Sequence, residues 1–139
     1  MRAGRADCLG FSLVEVVVVL ALLAIAAALA IPSYQASVRK ARRTEGKAFL
    51  HTLMMAQERH YASFNRYTAE TGPRGLSLPA SSQPGGYYLL LGLELSADAQ
   101  WLKITVSPQG AQAADLCGDL SLDSTGLYAA SGAAAEECR

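Results

Sequence analysis

From Val16 to Ile31 the chain runs for sixteen residues without one polar side chain. Widened to Phe11 the run is 21 residues, and as a helix it spans about 31 Å, the thickness of a hydrocarbon core. Thirteen of these residues are Leu, Ile, Val or Phe, each favouring insertion by roughly 0.3–0.6 kcal/mol near the bilayer centre. Against them stands Glu15, an acid inside the run, which costs about 2.5–3.5 kcal/mol on the same kind of scale. The apolar gain of about 4–8 kcal/mol exceeds that cost, so the sum favours the membrane. A neutral residue would avoid the cost altogether. Glu15 therefore asks for a reason.

Three readings of the segment compete. A cleaved secretory signal would use Arg2 and Arg5 as its basic region and Ala28-Leu29-Ala30 as its cleavage site, but its apolar region is long and carries an acid. A simple signal anchor would leave Glu15 snorkelling near the interface. A specialised export segment is the third. A lipoprotein signal at Cys8 fails, because no apolar run precedes that cysteine. Elsewhere the composition is ordinary: from Ser33 onward ten basic residues balance ten acidic ones. Such a neutral part lacks the basic excess that nucleic-acid binding normally needs. The length leaves room for one small domain.

The resemblance that resolves the N-terminus lies in Gly10-Phe11-Ser12-Leu13-Val14-Glu15. This stretch resembles the processing motif of type IV prepilins, although the family more often has Thr in place of Ser12 and Ile in place of Val14. The resemblance implies cleavage between Gly10 and Phe11 by prepilin peptidase on the cytoplasmic side, followed by N-methylation of Phe11. The apolar segment is then kept. Residues 1–10 become a cleaved leader, 11–32 a membrane-spanning and polymerisation helix, and 33–139 the pilin head. Gly10 has a physical reason, since a residue without a side chain lets the scissile backbone approach the enzyme closely. Pro32, a helix-perturbing residue just after the apolar run, matches the pilin pattern of a kink. In the family the glutamate corresponding to Glu15 is thought to attract the amine of a neighbouring subunit during assembly. An unpaired acid in lipid is costly and a neighbouring cation relieves the cost. An intrachain pair with Phe11 is the alternative.

Beyond Pro32 an amphipathic helix is expected over residues 33–62. Val38, Ala41, Phe49, Leu53 and Ala56 fall near one face, interrupted by Glu45 and Thr52. Arg39, Lys40, Arg42, Arg43 and Lys47 form a basic cluster, suited to lipid headgroups, to acidic patches of neighbouring subunits, or simply to a solvated face. The positive-inside rule would place this cluster in the cytoplasm. The processing motif argues for the opposite orientation, with the head in the periplasm. His51 and His60 lie nine residues apart with no companion ligands, so no metal site is expected.

In the head, Thr71 to Gly86 is rich in Gly, Pro and Ser and reads as a loop. Tyr87 to Leu95 reads as a strand with Tyr87, Leu89, Leu91, Leu93 and Leu95 on one face. Leu102, Ile104 and Val106 alternate with polar residues in a second strand. Leu116, Leu120 and Leu122 indicate a third, and Asp123-Ser124-Thr125-Gly126 a turn into a short fourth. Short connections make the sheet antiparallel, and the amphipathic helix covers its apolar face. The stretch from Cys117 to Gly126 resembles a C-terminal segment of type IVa minor pilins, most like those of the pilin E class. There it opens a disulfide-bounded loop, which Cys138 would close here. Such a bridge encloses about 22 residues and is worth roughly 3 kcal/mol in the loop-entropy model. The implied fold is α+β: a long N-terminal helix, membrane-spanning in its first half and amphipathic in its second. That second half packs on a small antiparallel sheet with a C-terminal disulfide loop.

No nucleophile elbow, phosphate loop or metal spacing is present, so neither an enzyme nor a cofactor is expected. The leading expectation is a structural subunit, a minor pilin of a type IV pilus supporting biogenesis, adhesion or twitching motility. Its partners would be prepilin peptidase, other pilins and the assembly machinery, first in the inner membrane and then in the fibre at the cell surface. A DNA-uptake pilin is the alternative in a different class. Against it, only Lys103 and Arg139 are basic from Gly75 onward. A type II secretion pseudopilin is the other alternative. Such proteins often carry a calcium site where this chain has Cys117 and Cys138.

Overall fold

The computed structural model describes residues 12–73 and 75–138. The expected leader and the junction of Gly10 with Phe11 lie outside the described residues. The chain divides into two compact units, one up to Ser37 and one from Val38 onward.

One helix, α1, runs from Leu13 to Phe64. It starts at Ser12, whose side-chain Oγ accepts a hydrogen bond from the Val14 N–H at 3.2 Å and whose carbonyl accepts from Val16 at 3.2 Å. A Ser in this place satisfies amides that have no partner inside the helix. Asn65 stops the helix in a left-handed conformation, φ 53°, its N–H donating to the Tyr61 carbonyl. Pro32 lies inside α1 and does not end it. In the first unit the apolar side chains from Leu13 to Ile31 are exposed. Ser33 and Ser37 donate their hydroxyls back to the carbonyls of Ala30 and Ser33, so the helix leaves few polar groups unmatched.

In the second unit α1 buries Gly46, Phe49, Leu50, Leu53, Met54 and Gln57. Phe49 and Leu53 belong to the expected stripe, whereas Ala41 is exposed. The stripe lies one residue round the helix from the expected one, because Leu50 and Met54 join it. Gly46 is part of the same face. A Cβ there would sit 2.7 Å from the ring of Tyr88, which is fully buried.

The sheet has four antiparallel strands in sequence order: β1 Tyr88–Leu95, β2 Leu102–Pro108, β3 Leu120–Asp123 and β4 Tyr128–Ala130. Leu102, Ile104, Val106, Leu120 and Leu122 face inward and form the core with the helix residues. β1 departs from the expected alternation. Its pairing with β2 shifts between Leu90 and Gly92, so Leu91 is an extra residue that turns outward, 61% exposed. Before the bulge Tyr88 and Leu90 point inward; after it Leu93 and Leu95 do, opposite Ile104 and Leu102. Leu89 and Leu91 of the expected face therefore point outward, and the inserted residue is the reason. Leu116 is also outside its expected strand, exposed in the loop before Cys117.

Candidate functional site

Glu15 stands in the first turn of α1 and is exposed. Around it Leu13, Val14 and Val16 to Val19 are exposed as well. A carboxylate in this company is the one charged group of the apolar segment among the described residues. Its proposed partner, the amine of a processed Phe11, lies outside them.

The basic cluster of α1 separates into residues with different tasks. Arg43 donates from Nε to Asp115 Oδ2 at 2.7 Å and from Nη2 to Oδ1 at 2.5 Å, a bidentate pair. The Asp115 side chain is fully buried while that of Arg43 is 24% exposed. Gln112, also buried, donates from Nε2 to Asp115 at 2.9 Å and to the Arg39 carbonyl at 3.2 Å. Burial alone would raise the Asp115 pKa, yet the Arg43 hydrogen bond and charge, with Gln112 and the Cys117 amide, hold it below the ordinary value. Arg42 lies 4.4 Å over the Tyr87 ring and donates to the Ala111 carbonyl. Lys47 lies 4.5 Å over the Tyr128 ring. Burial pushes Tyr128 up to about 12, so its hydroxyl stays protonated. The cluster thus ties the helix to the loop ahead of Cys117 and to β4.

Glu45, which interrupted the expected apolar stripe, has a structural task. Its carboxylate accepts from Ser82 Oγ at 2.5 Å and from the Gly85 amide at 3.3 Å. Ser82 is fully buried, and its Oγ accepts in turn from the Tyr88 amide. Gln57 holds the same long loop at another point, donating to the Thr68 carbonyl and accepting from its N–H. Sequence reasoning missed all of these, since the partners of Glu45 lie 37 and 40 residues away and that of Gln57 lies 11 away, across the loop. The one local signal was a polar residue where the helix face should be apolar.

Cys117 and Cys138 form a disulfide with Cα atoms 5.8 Å apart, both cysteines buried. Two backbone bonds run beside it, from Gly132 N to the Cys117 carbonyl and from Ala134 N to Leu116. Gly118 is left-handed at φ 61°. Gly132 is packed so tightly on Leu116 and Cys117 that a side chain there has no room. No group of three or more His, Cys, Asp or Glu side chains among the described residues is placed to hold a metal.

Compared with known proteins, residues 5–31 match the prokaryotic N-terminal methylation motif. Residues 32–121 match the family described as type IV minor pilin ComP, DNA uptake sequence receptor. A solved type IV pilin from Shewanella oneidensis is 29% identical, covering 65% of this chain and 89% of its own, with a TM-score of 0.46. No curated protein matches. The family match takes in well over half of the sequence, from Pro32 to Ser121 in β3. The chain belongs to the ComP family of type IV minor pilins and is a structural subunit of a type IV pilus.

Proposed function

We propose that this chain is made as a membrane-held precursor, cut after Gly10, methylated at Phe11, and then drawn into the fibre by its N-terminal helix. The observation that carries this reading is the methylation motif spanning residues 5–31, directly over the Gly10–Phe11 junction and the exposed apolar turns of α1. Residues 11–32 would hold the precursor in the inner membrane with the head in the periplasm. Glu15 would then meet the new amine of a neighbouring subunit, each charge relieving the other in lipid. Pro32 lacks an amide hydrogen, so the helix is free to bend there on docking. Within the fibre this subunit would support biogenesis, adhesion or twitching motility without doing chemistry of its own. Mass spectrometry of the protein from the membrane and from sheared fibres tests the processing step. Methylated Phe11 at the mature N-terminus is expected, and a mature start near Ser33 would sink the reading.

DNA capture by the head is a second reading, favoured by the match of residues 32–121 to a family described as a DNA uptake sequence receptor. The charge balance weighs on the other side, for the chain from Ser33 onward is neutral overall. What basic surface there is concentrates at Arg39, Lys40, Arg42 and Lys47, none of which has a carboxylate within 4.0 Å among the described residues. Titrating duplex DNA into detergent-held full-length protein at several salt concentrations decides it. A receptor should show log affinity falling linearly with log salt, with a slope of about −0.9 per phosphate contacted. No binding at low salt ends the DNA reading and leaves the fibre reading intact.

A further inference from the structure

We infer that a cleft between α1 and the C-terminal 3₁₀ turn, Ala135–Cys138, receives a carboxylate side chain from a neighbouring subunit of the fibre. The cleft encloses about 250 Å³ and is lined by Lys40, Arg43, Thr44, Lys47, Glu137 and Cys138. Lys40 and Lys47 stand seven residues apart on the helix, two turns, and so share a face. Neither has a carboxylate within 4.0 Å among the described residues. Arg43 between them is already matched, its charge cancelled by Asp115. What remains is two lysines against one acid, Glu137. Counted over the described residues, the cleft is short of one negative charge.

One carboxylate restores that balance, and a cavity of this volume has room for it. Its walls are also set in advance. Asp115 fixes Arg43, the Tyr128 ring supports Lys47, and the buried disulfide holds Cys138 against the helix side. A preorganised site binds with less ordering cost than a mobile one. A polyanion fits worse, because Glu137 already lines the cleft and repels any phosphate after the first. The inference rests on the fibre reading, since only in a fibre does a neighbour present the same acid at the same place in every copy.

The test uses the full-length protein in two states, held in membranes and assembled in sheared fibres. Each is treated with an amine-reactive label, and separately with a carbodiimide that joins contacting lysines and carboxylates. Lys103, which pairs with Glu94 at 2.7 Å inside the head, is the internal reference in both. Lys40 and Lys47 are expected to label in membranes and to lose their labelling in fibres. The carbodiimide should join at least one of them to an Asp or Glu peptide of another subunit. Lys40→Gln with Lys47→Gln should lower the share of the protein recovered in fibres, while the double Arg replacement restores it. Both lysines labelling equally in fibres and membranes overturns the inference, as does protection already complete in membranes, which would assign the cleft to lipid headgroups. Protection appearing only on addition of DNA would also overturn it. Absence of the native protein from fibres would end the fibre reading and this inference with it.

Discussion

Asp115 is buried as a carboxylate because Arg43 reaches it with two hydrogen bonds and Gln112 with a third. Such a group links stability to pH. Its folded pKa lies below the ordinary 3.8, so the stability it contributes is fully present above that value and is lost as pH falls through the lower folded one. Replacing Asp115 with Asn keeps the shape but removes the charge that matches Arg43. Since hydrogen bonds to charged groups are worth about 1.5–3 kcal/mol, a loss of that order is expected at neutral pH. The acid-side slope of stability as pH falls below about 3.8 should flatten in the variant. Denaturant melts from neutrality through that range measure both effects, and an unchanged slope would show that Asp115 is not the group being titrated. Nothing in the sequence announces this residue. Asp115 lies 72 positions from Arg43, in a loop whose local pattern is that of any solvated turn.

Elements were legible where their periodicity was uninterrupted. Leu102, Ile104 and Val106 alternate in β2 and all three are fully buried. The long apolar run and the stretch beyond Pro32 both read as helix, and the structure joins them into one from Leu13 to Phe64. Sequence reasoning fails at β1, since five alternating large residues look like one face and give no sign that Leu91 is inserted. A bulge is decided by the partner strand and by Gly92, which has open space around it. The disagreement makes a direct comparison. Leu91→Ser should change stability by no more than about 0.5 kcal/mol, as an exposed substitution, while Ile104→Ala should cost about 2–5 kcal/mol by opening a cavity. Thermal unfolding of the two variants reads the difference. A large cost for Leu91 would mean that the strand runs without the bulge.

At the scale of the head, the core rests on a few side chains of α1 and three of the strands, so a crosslink carries a large share of the stability. The Cys117–Cys138 bridge has a sequence separation of 21. Replacing both cysteines with Ser should cost about 3 kcal/mol in the loop-entropy model, read as a lowered unfolding midpoint. A double-Ser variant that melts at the native midpoint would show that the packing of Gly118 and Gly132 holds the C-terminal segment by itself. Here sequence resemblance marked the pair. It gave no sign that the same bridge forms one side of a cleft opposite Lys40 and Lys47.

At the scale of the whole molecule, the role proposed for Glu15 would separate two processes that a single apolar helix would otherwise merge. Insertion depends on the sum over the segment, and Glu15 is its one unfavourable member, costing about 2.5–3.5 kcal/mol at the bilayer centre. Assembly, on the proposed reading, would depend on what that charge meets afterwards. Glu15→Leu should therefore insert at least as well as the native helix, because an unfavourable contribution is removed. The same variant should be depleted from sheared fibres, since a neighbour's amine at Phe11 would enter an apolar environment without a counter-charge. The two effects run in opposite directions. Comparing native and variant protein in inner-membrane and fibre fractions, with processing checked on the same samples, reads both at once. A variant that is processed, held in the membrane and present in fibres at the native ratio would show that Glu15 has no part in assembly. One that fails to insert would place the error in the membrane energetics, because removing the only acid of the segment would then have made it less at home in lipid.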